Sequence, residues 1–122
     1  MHSFLLSIGS NYNTLNNIAV VKELLLRYFT DIYFTQTSES EPIGKNYSDR
    51  FVNMLATFQS EHHLDETIKI LKQIEQEMGG TSEDKKHGKV IIDLDIIAYD
   101  DNIVRPTDYY RTYVQYLLKY LP

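Results

Sequence analysis

Two aspartates one residue apart, Asp93 and Asp95, stand in the run Val90 to Tyr99 (VIIDLDIIAY), the strongest strand signal in the chain. Residues two apart on a strand project to one face, about 7 Å apart, while Ile92, Leu94 and Ile96 face the other way. Two adjacent carboxylates flanked by apolar residues need positive compensation. Hard oxygen donors of this kind suit Mg²⁺, which takes one or two carboxylates together with water and substrate phosphates. A solvated sheet face would place two aspartates in the same way, so the triplet gains meaning only from its neighbours. Phe51 and Asn53 share a strand face, setting an aromatic surface beside an amide that both donates and accepts; the alternative is a core Phe and a loop-proximal Asn. Glu75 follows core-facing Ile74 late in a helix, in reach of a ligand or of water. Lys85, Lys86 and Lys89 lie in one polar loop as point charges for a phosphate or as solvated lysines. His62 and His63 are consecutive and point apart, so they make poor joint metal ligands.

The elements that must position these residues follow from periodicity. His2 to Ile8 is a strand-length apolar run ending at the turn-forming Gly9-Ser10-Asn11. Leu15, Ile18, Val21, Leu25 and Tyr28 recur at three and four, the helical period, with Asn13 or Thr14 as cap. Asp31 to Thr37 has strand composition, Ser38 to Asp49 reads as a long loop holding Pro42 and Gly44, and Arg50 to Ser60 reads as a mostly buried strand. Leu64, Ile68, Leu71, Ile74 and Met78 mark a second helix stopped by Gly79-Gly80, and Thr81 to Gly88 is a charged loop. Tyr109, Tyr113, Tyr116 and Tyr120 suggest a terminal amphipathic helix, a packed face rather than a stacking platform. Two β-α-β units in this order predict an α+β fold: a ferredoxin-like βαββαβ antiparallel sheet, helices packed on one face, and a short C-terminal helix.

Composition narrows the function. The 122 residues fit one domain, 1–122, and 43% hydrophobic with 24% charged residues is a globular balance that excludes disorder. The absence of cysteine removes thiol catalysis, disulfides and cysteine-based zinc sites. A net charge of −5 argues against nucleic acid as a partner. No apolar run approaches the roughly 20 residues that span a bilayer, and no basic region precedes an apolar stretch at the N-terminus, so a cytoplasmic protein without a membrane partner is expected.

Taken together, L-S-I-G-S-N (Leu6 to Asn11), S-E-P-I-G (Ser40 to Gly44), F-V-N (Phe51 to Asn53), I-E-x-x-x-G (Ile74 to Gly79) and I-D-L-D-I-I (Ile92 to Ile97) stand in the order and spacing of another set of proteins. The chain resembles the 6-hydroxymethyl-7,8-dihydropterin pyrophosphokinase family over residues 3 to 100, and less closely beyond. The resemblance implies a ferredoxin-like fold and transfer of the pyrophosphoryl group of ATP to the pterin hydroxymethyl group in folate biosynthesis, with AMP released. It implies that Asp93 and Asp95 are catalytic and hold two Mg²⁺ ions bridging the ATP phosphates. Ser40, Pro42, Ile43, Phe51 and Asn53 match the pterin pocket, with Tyr113 closing it opposite Phe51. Lys72, Glu75 and Ile96 match positions near the nucleotide, and Arg111 matches an arginine at its phosphates.

The departures fall on positive charges. Gly80, Ser82 and Val90 stand where the family has arginines, His87 replaces a loop tryptophan, and Arg105 before Pro106 replaces a histidine. Lys85 and Lys89 are then the catalytic cations expected to compensate, with Lys86, His87 and Arg105 at the nucleotide. Family members usually continue well past the last strand, whereas this chain ends at Pro122, which places the expected shortfall at the ATP site. The leading expectation is an ATP-dependent diphosphotransferase acting on small molecules, with a monomer favoured. The alternatives are a weak or inactive homologue that binds pterin or nucleotide, and a ferredoxin-like interaction module.

Overall fold

The computed structural model describes residues 1–41 and 50–122, with the side chain of Lys85 left out. Pro42 and Ile43 therefore lie outside the described residues. The chain forms β1 (His2–Ser10), α1 (Thr14–Tyr28), β2 (Tyr33–Phe34), β3 (Ser38–Ser40), β4 (Phe51–Ser60), α2 (Leu64–Glu77), α3 (Ser82–Lys86), β5 (Asp93–Tyr99), β6 (Asn102–Ile103), α4 (Pro106–Tyr109) and α5 (Thr112–Leu118). The sheet runs β2-β4-β1-β5-β6, with β3 also paired to β4, and every pairing is antiparallel. With β2 and β3 counted as one interrupted strand, the long strands take the order second, third, first, fourth of the expected βαββαβ fold.

Alternation along β1, β4 and β5 divides the apolar residues between two clusters. Phe4, Leu6, Ile8, Met54, Ala56, Phe58, Leu94 and Ile96 meet Ile18, Val21 and Leu25 of α1 and Leu71 and Ile74 of α2 in the main core. On the other face Leu55 and Ile97 are covered by Val114 and Leu117 of α5. Burial of a side chain of this size stabilises the fold by about 1.5–3 kcal/mol. Pairing shifts register between Leu5 and Leu6, where Leu6 opposes Ile96 but Leu5 opposes Ala98, so Ile97 is a bulge on β5.

Several expectations shift in detail. Asn13 does stand at the N-cap of α1, but in left-handed backbone with φ 44° and without a side-chain cap bond, a conformation asparagine tolerates better than most residues. The helical spacing of α1 is right in the middle and wrong at its first turn, where Leu15 is 91% exposed. In α2 the inward residues are Thr67, Leu71 and Ile74, while Ile68 is exposed. Gly79, at φ 90°, supplies the left-handed stop. The Ser38–Asp49 loop begins with a strand, because Ser38, Glu39 and Ser40 pair with Asn53, Val52 and Phe51. In α5 the buried residues are Val114 and Leu117 rather than tyrosines; Tyr116 and Tyr120 stay exposed, with the Tyr120 hydroxyl donating to that of Tyr116 at 3.3 Å.

Candidate active site

Directly paired residues of antiparallel strands share a face. The register therefore lays Ser38, Asn53, Gly9 and Asp93 in one row across β3, β4, β1 and β5. Leu55, Ser7 and Asp95 form the row beside it, and Ser40 with Phe51 the row on its other side. This is the face opposite α1 and α2. Two inter-strand spacings, about 10 Å, separate Asn53 from Asp93. A cavity of about 240 Å³ opens over these rows and is closed at its rim by Arg105, Asp108, Arg111 and Tyr113.

Each polar group on the floor has a traceable position. Asn53 is 4% exposed and donates its amide nitrogen to Ser40 Oγ at 2.7 Å and to the Ser38 carbonyl at 3.3 Å. Its carbonyl oxygen lies on the Gly9 side, where a Cβ on Gly9 would come within 3.5 Å of it and 3.8 Å of Phe51 Cδ1. Those are ordinary contacts, so glycine at position 9 keeps the floor open rather than relieving a clash. Asn11, buried beyond the end of β1, holds the loop before β5: its Oδ1 accepts from Val90 N at 2.6 Å and its Nδ2 donates to the Gly88 carbonyl at 2.8 Å.

Burial and the neighbouring Asp93 push the Asp95 carboxyl up to about 6, against a lowering contribution from Arg105, whose terminal nitrogen is 3.4 Å from Asp95 Oδ1. Arg105 Nε donates to Asp108 Oδ2 at 2.6 Å, and Arg111 lies 3.2 Å from Asp108 Oδ1. The lining carries the carboxylates of Glu41, Asp93, Asp95 and Asp108 against the guanidiniums of Arg105 and Arg111, a formal excess of two negative charges among the described residues. A polyphosphate entering such a cavity needs accompanying cations. The donor set fits Mg²⁺: two hard carboxylates on one strand face and no third His, Cys, Asp or Glu arranged with them among the described residues, which leaves the rest of the coordination to water and phosphate.

Of the residues singled out from the sequence, the cavity gathers Ser40, Phe51, Asn53, Asp93, Asp95, Arg105, Arg111 and Tyr113. Others do not line it. Ile96, 4% exposed, points into the main core on the helix side of the sheet, as its parity with Leu94 requires. Glu75 instead accepts from the Leu94 backbone N–H at 2.7 Å, tying α2 to β5 between the two aspartates, and pairs with Lys72 at 3.4 Å. Lys89 lies 4.1 Å over the Tyr12 ring and 4.0 Å from Asp84, and His87 faces Glu83 at 3.3 Å on the outer surface of α3. Lys86 is exposed on the same helix, and the side chain of Lys85 lies outside the described residues. Ser7, Gly9, Glu41, Val90 and Asp108 line the cavity without having been anticipated as site residues. Strand parity with Asp93 and Asn53 would have found Ser7 and Gly9, and the three-residue spacing of Arg105, Asp108 and Arg111 is a helical signal that points to Asp108.

The fold and this cavity define a small α+β domain with an acid pair and two arginines around an open sheet face, a set suited to a phosphate-bearing ligand and its cation. The family model for 7,8-dihydro-6-hydroxymethylpterin-pyrophosphokinase matches residues 5–121, and the chain belongs to that family. Among curated proteins no match is found. The family is one of pyrophosphokinases, transferases that act in folate synthesis on small molecules with ATP as co-substrate. No helix among the described residues is long and apolar enough to cross a membrane.

Proposed function

We propose that residues 1–122 act as one domain, in the cytoplasm and as a monomer, transferring the pyrophosphoryl group of ATP to 6-hydroxymethyl-7,8-dihydropterin. The observation that carries this reading is the single cavity joining Asp93 and Asp95 to Phe51, Asn53 and Tyr113. In the reaction the pterin hydroxyl oxygen forms a bond to the β-phosphorus of ATP, the bond from that phosphorus to the α–β bridging oxygen breaks, and AMP leaves with the bridging oxygen. The hydroxyl proton passes to solvent. No covalent enzyme intermediate is needed, because transfer of this kind depends on alignment and on neutralising charge.

Phe51 and Tyr113 would sandwich the pterin ring, and the Asn53 carbonyl oxygen would accept from its N–H edge while Ser40 holds the asparagine amide. Asp93 and Asp95 would hold two Mg²⁺ ions, which when bound neutralise phosphate oxygens and fix the polyphosphate. Arg105 and Arg111 would meet the phosphates from the rim. AMP release from ATP, Mg²⁺ and the reduced hydroxymethylpterin tests the proposal: the wild-type protein should turn over, and Asp95→Ala should lower kcat/KM on the order of 10²-fold or more. Equal AMP release by the two proteins, or none by either, overturns it. A second reading, binding without turnover, is favoured by one observation: Lys72, Lys86 and Lys89 do not line the cavity. Calorimetric titration showing tight pterin binding with no AMP release would select that reading.

A further inference from the structure

Asp108 is an anion in a cavity read as a polyphosphate site, where a carboxylate should repel the ligand. Its side chain is 18% exposed and both of its oxygens are engaged: Oδ2 accepts from Arg105 Nε at 2.6 Å, and Oδ1 lies 3.2 Å from an Arg111 terminal nitrogen. The local backbone makes this possible. Pro106 starts α4 with its fixed φ, Asp108 falls in the first turn, and the turn at Tyr110 and Arg111 leads into α5, so residues at 105, 108 and 111 come to one side of the junction. A guanidinium has five N–H donors in a rigid fork. Each arginine gives Asp108 only part of its set; one terminal nitrogen of Arg105 also lies 3.4 Å from Asp95 Oδ1, and the remaining donors stay on groups that line the cavity. A free arginine side chain carries about 2 kcal/mol of rotamer entropy, so a carboxylate that holds two of them in place meets part of the ordering cost before a ligand arrives.

We infer that Asp108 is a positioning residue that aims Arg105 and Arg111 at the phosphates of the nucleotide. The inference rests on the ATP-dependent transfer proposed above and deepens it. Asp108 acts through the arginines and needs no contact with the substrate.

Calorimetric titration with α,β-methylene ATP and Mg²⁺, whose bridging carbon resists transfer, tests this on four proteins: wild type, Asp108→Asn, Arg105→Gln/Arg111→Gln, and the triple variant. Melting temperatures are recorded for each. Asp108→Asn should weaken analogue binding about tenfold in the wild-type background and leave it unchanged or tighter in the arginine-free background, where only the carboxylate's repulsion is removed, a coupling of the size expected for groups in contact. Unchanged or tighter binding by Asp108→Asn in the wild-type background overturns the inference, as does an equal loss in both backgrounds, the result of a merely structural role. Should Asp108→Asn melt, Asp108→Ser, which also removes the charge that holds the arginines, carries the same test with the same reading. Wild-type protein that fails to bind the analogue sinks the proposed reaction and this inference with it, whereas wild-type binding matched by the Asp108 variant sinks the inference alone.

Discussion

The two faces of β1, β4 and β5 are built from alternate residues of the same strands and do opposite things. Toward α1 and α2, Phe4, Leu6, Ile8, Met54, Phe58 and Leu94 pack into an apolar core. On the reverse, Leu55 and Ile97 are sealed by α5, while Ser7, Gly9, Asn53, Asp93 and Asp95 line the cavity. Neighbouring residues thus serve stability and chemistry by parity alone, and α5 covers only part of the second face. The division predicts that substitutions a single residue apart separate folding from function.

The largest effect should come from the sealed face. Leu6→Ala removes a fully buried side chain and should lower unfolding free energy by about 3 kcal/mol. Its neighbour Ser7→Ala should stay within about 0.5 kcal/mol, and urea melts of the two proteins make the check. A loss at Ser7 matching that at Leu6 would mean that the second face is core after all.

Next in size is the tie between the faces. Glu75→Ala strips the Leu94 backbone N–H of its acceptor beneath the aspartates and should cost about 2 kcal/mol, whereas Glu75→Gln, which keeps an oxygen in place, should recover most of it. Denaturant midpoints that rank Gln with Ala would remove this role for the Leu94 contact.

The smallest effect has the opposite sign. Because the Asp95 carboxyl is raised above its unfolded value of 3.8 to about 6, its contribution to stability is fully present below pH 3.8 and lost as pH rises through about 6. Asp95→Asn should therefore be more stable than wild type by about 1 kcal/mol at pH 7.5 without divalent ions, a figure reduced for partial exposure, with the gap closing by pH 4. Melts at the two pH values decide it, and a variant less stable at pH 7.5 would show that the Arg105 contact outweighs desolvation.

Much of this division was legible because strand parity is a local property. The pairs Asp93 and Asp95, and Phe51 and Asn53, needed only their spacing to be placed on common faces, and the helical period located α1 and α2 through Ile18, Val21, Leu71 and Ile74. What escaped depends on side-chain partners from distant elements. For Glu75 the helix pattern leaves ligand or water open, and it does not reveal that the carboxylate accepts from a strand amide. Lys89 reads equally as a phosphate cation or a solvated lysine, and its neighbours Tyr12 and Asp84 come from elements that the loop sequence does not reveal. Ser38, Glu39 and Ser40 have loop composition, and only pairing along the edge of β4 makes them a strand.

The bulge at Ile97 gives β5 a break in phase. On one side of it the odd-numbered Asp93 and Asp95 face the cavity; on the other, odd-numbered Tyr99 turns to the main core beside Phe4. The Ile97 carbonyl at that break accepts from both Val104 N at 2.9 Å and Arg105 N at 3.3 Å, anchoring the returning chain. One extra residue thereby stands between the acid pair and the Asp100–Asp101 turn, with β5 paired to β1 on both sides of it. Beyond the bulge the turn is tied back to β1, with Asp100 N donating to the Ser3 carbonyl at 2.7 Å and Asp100 Oδ1 accepting from Ser3 N at 2.9 Å, so the phase of the acid pair and that of the hairpin are set by separate contacts.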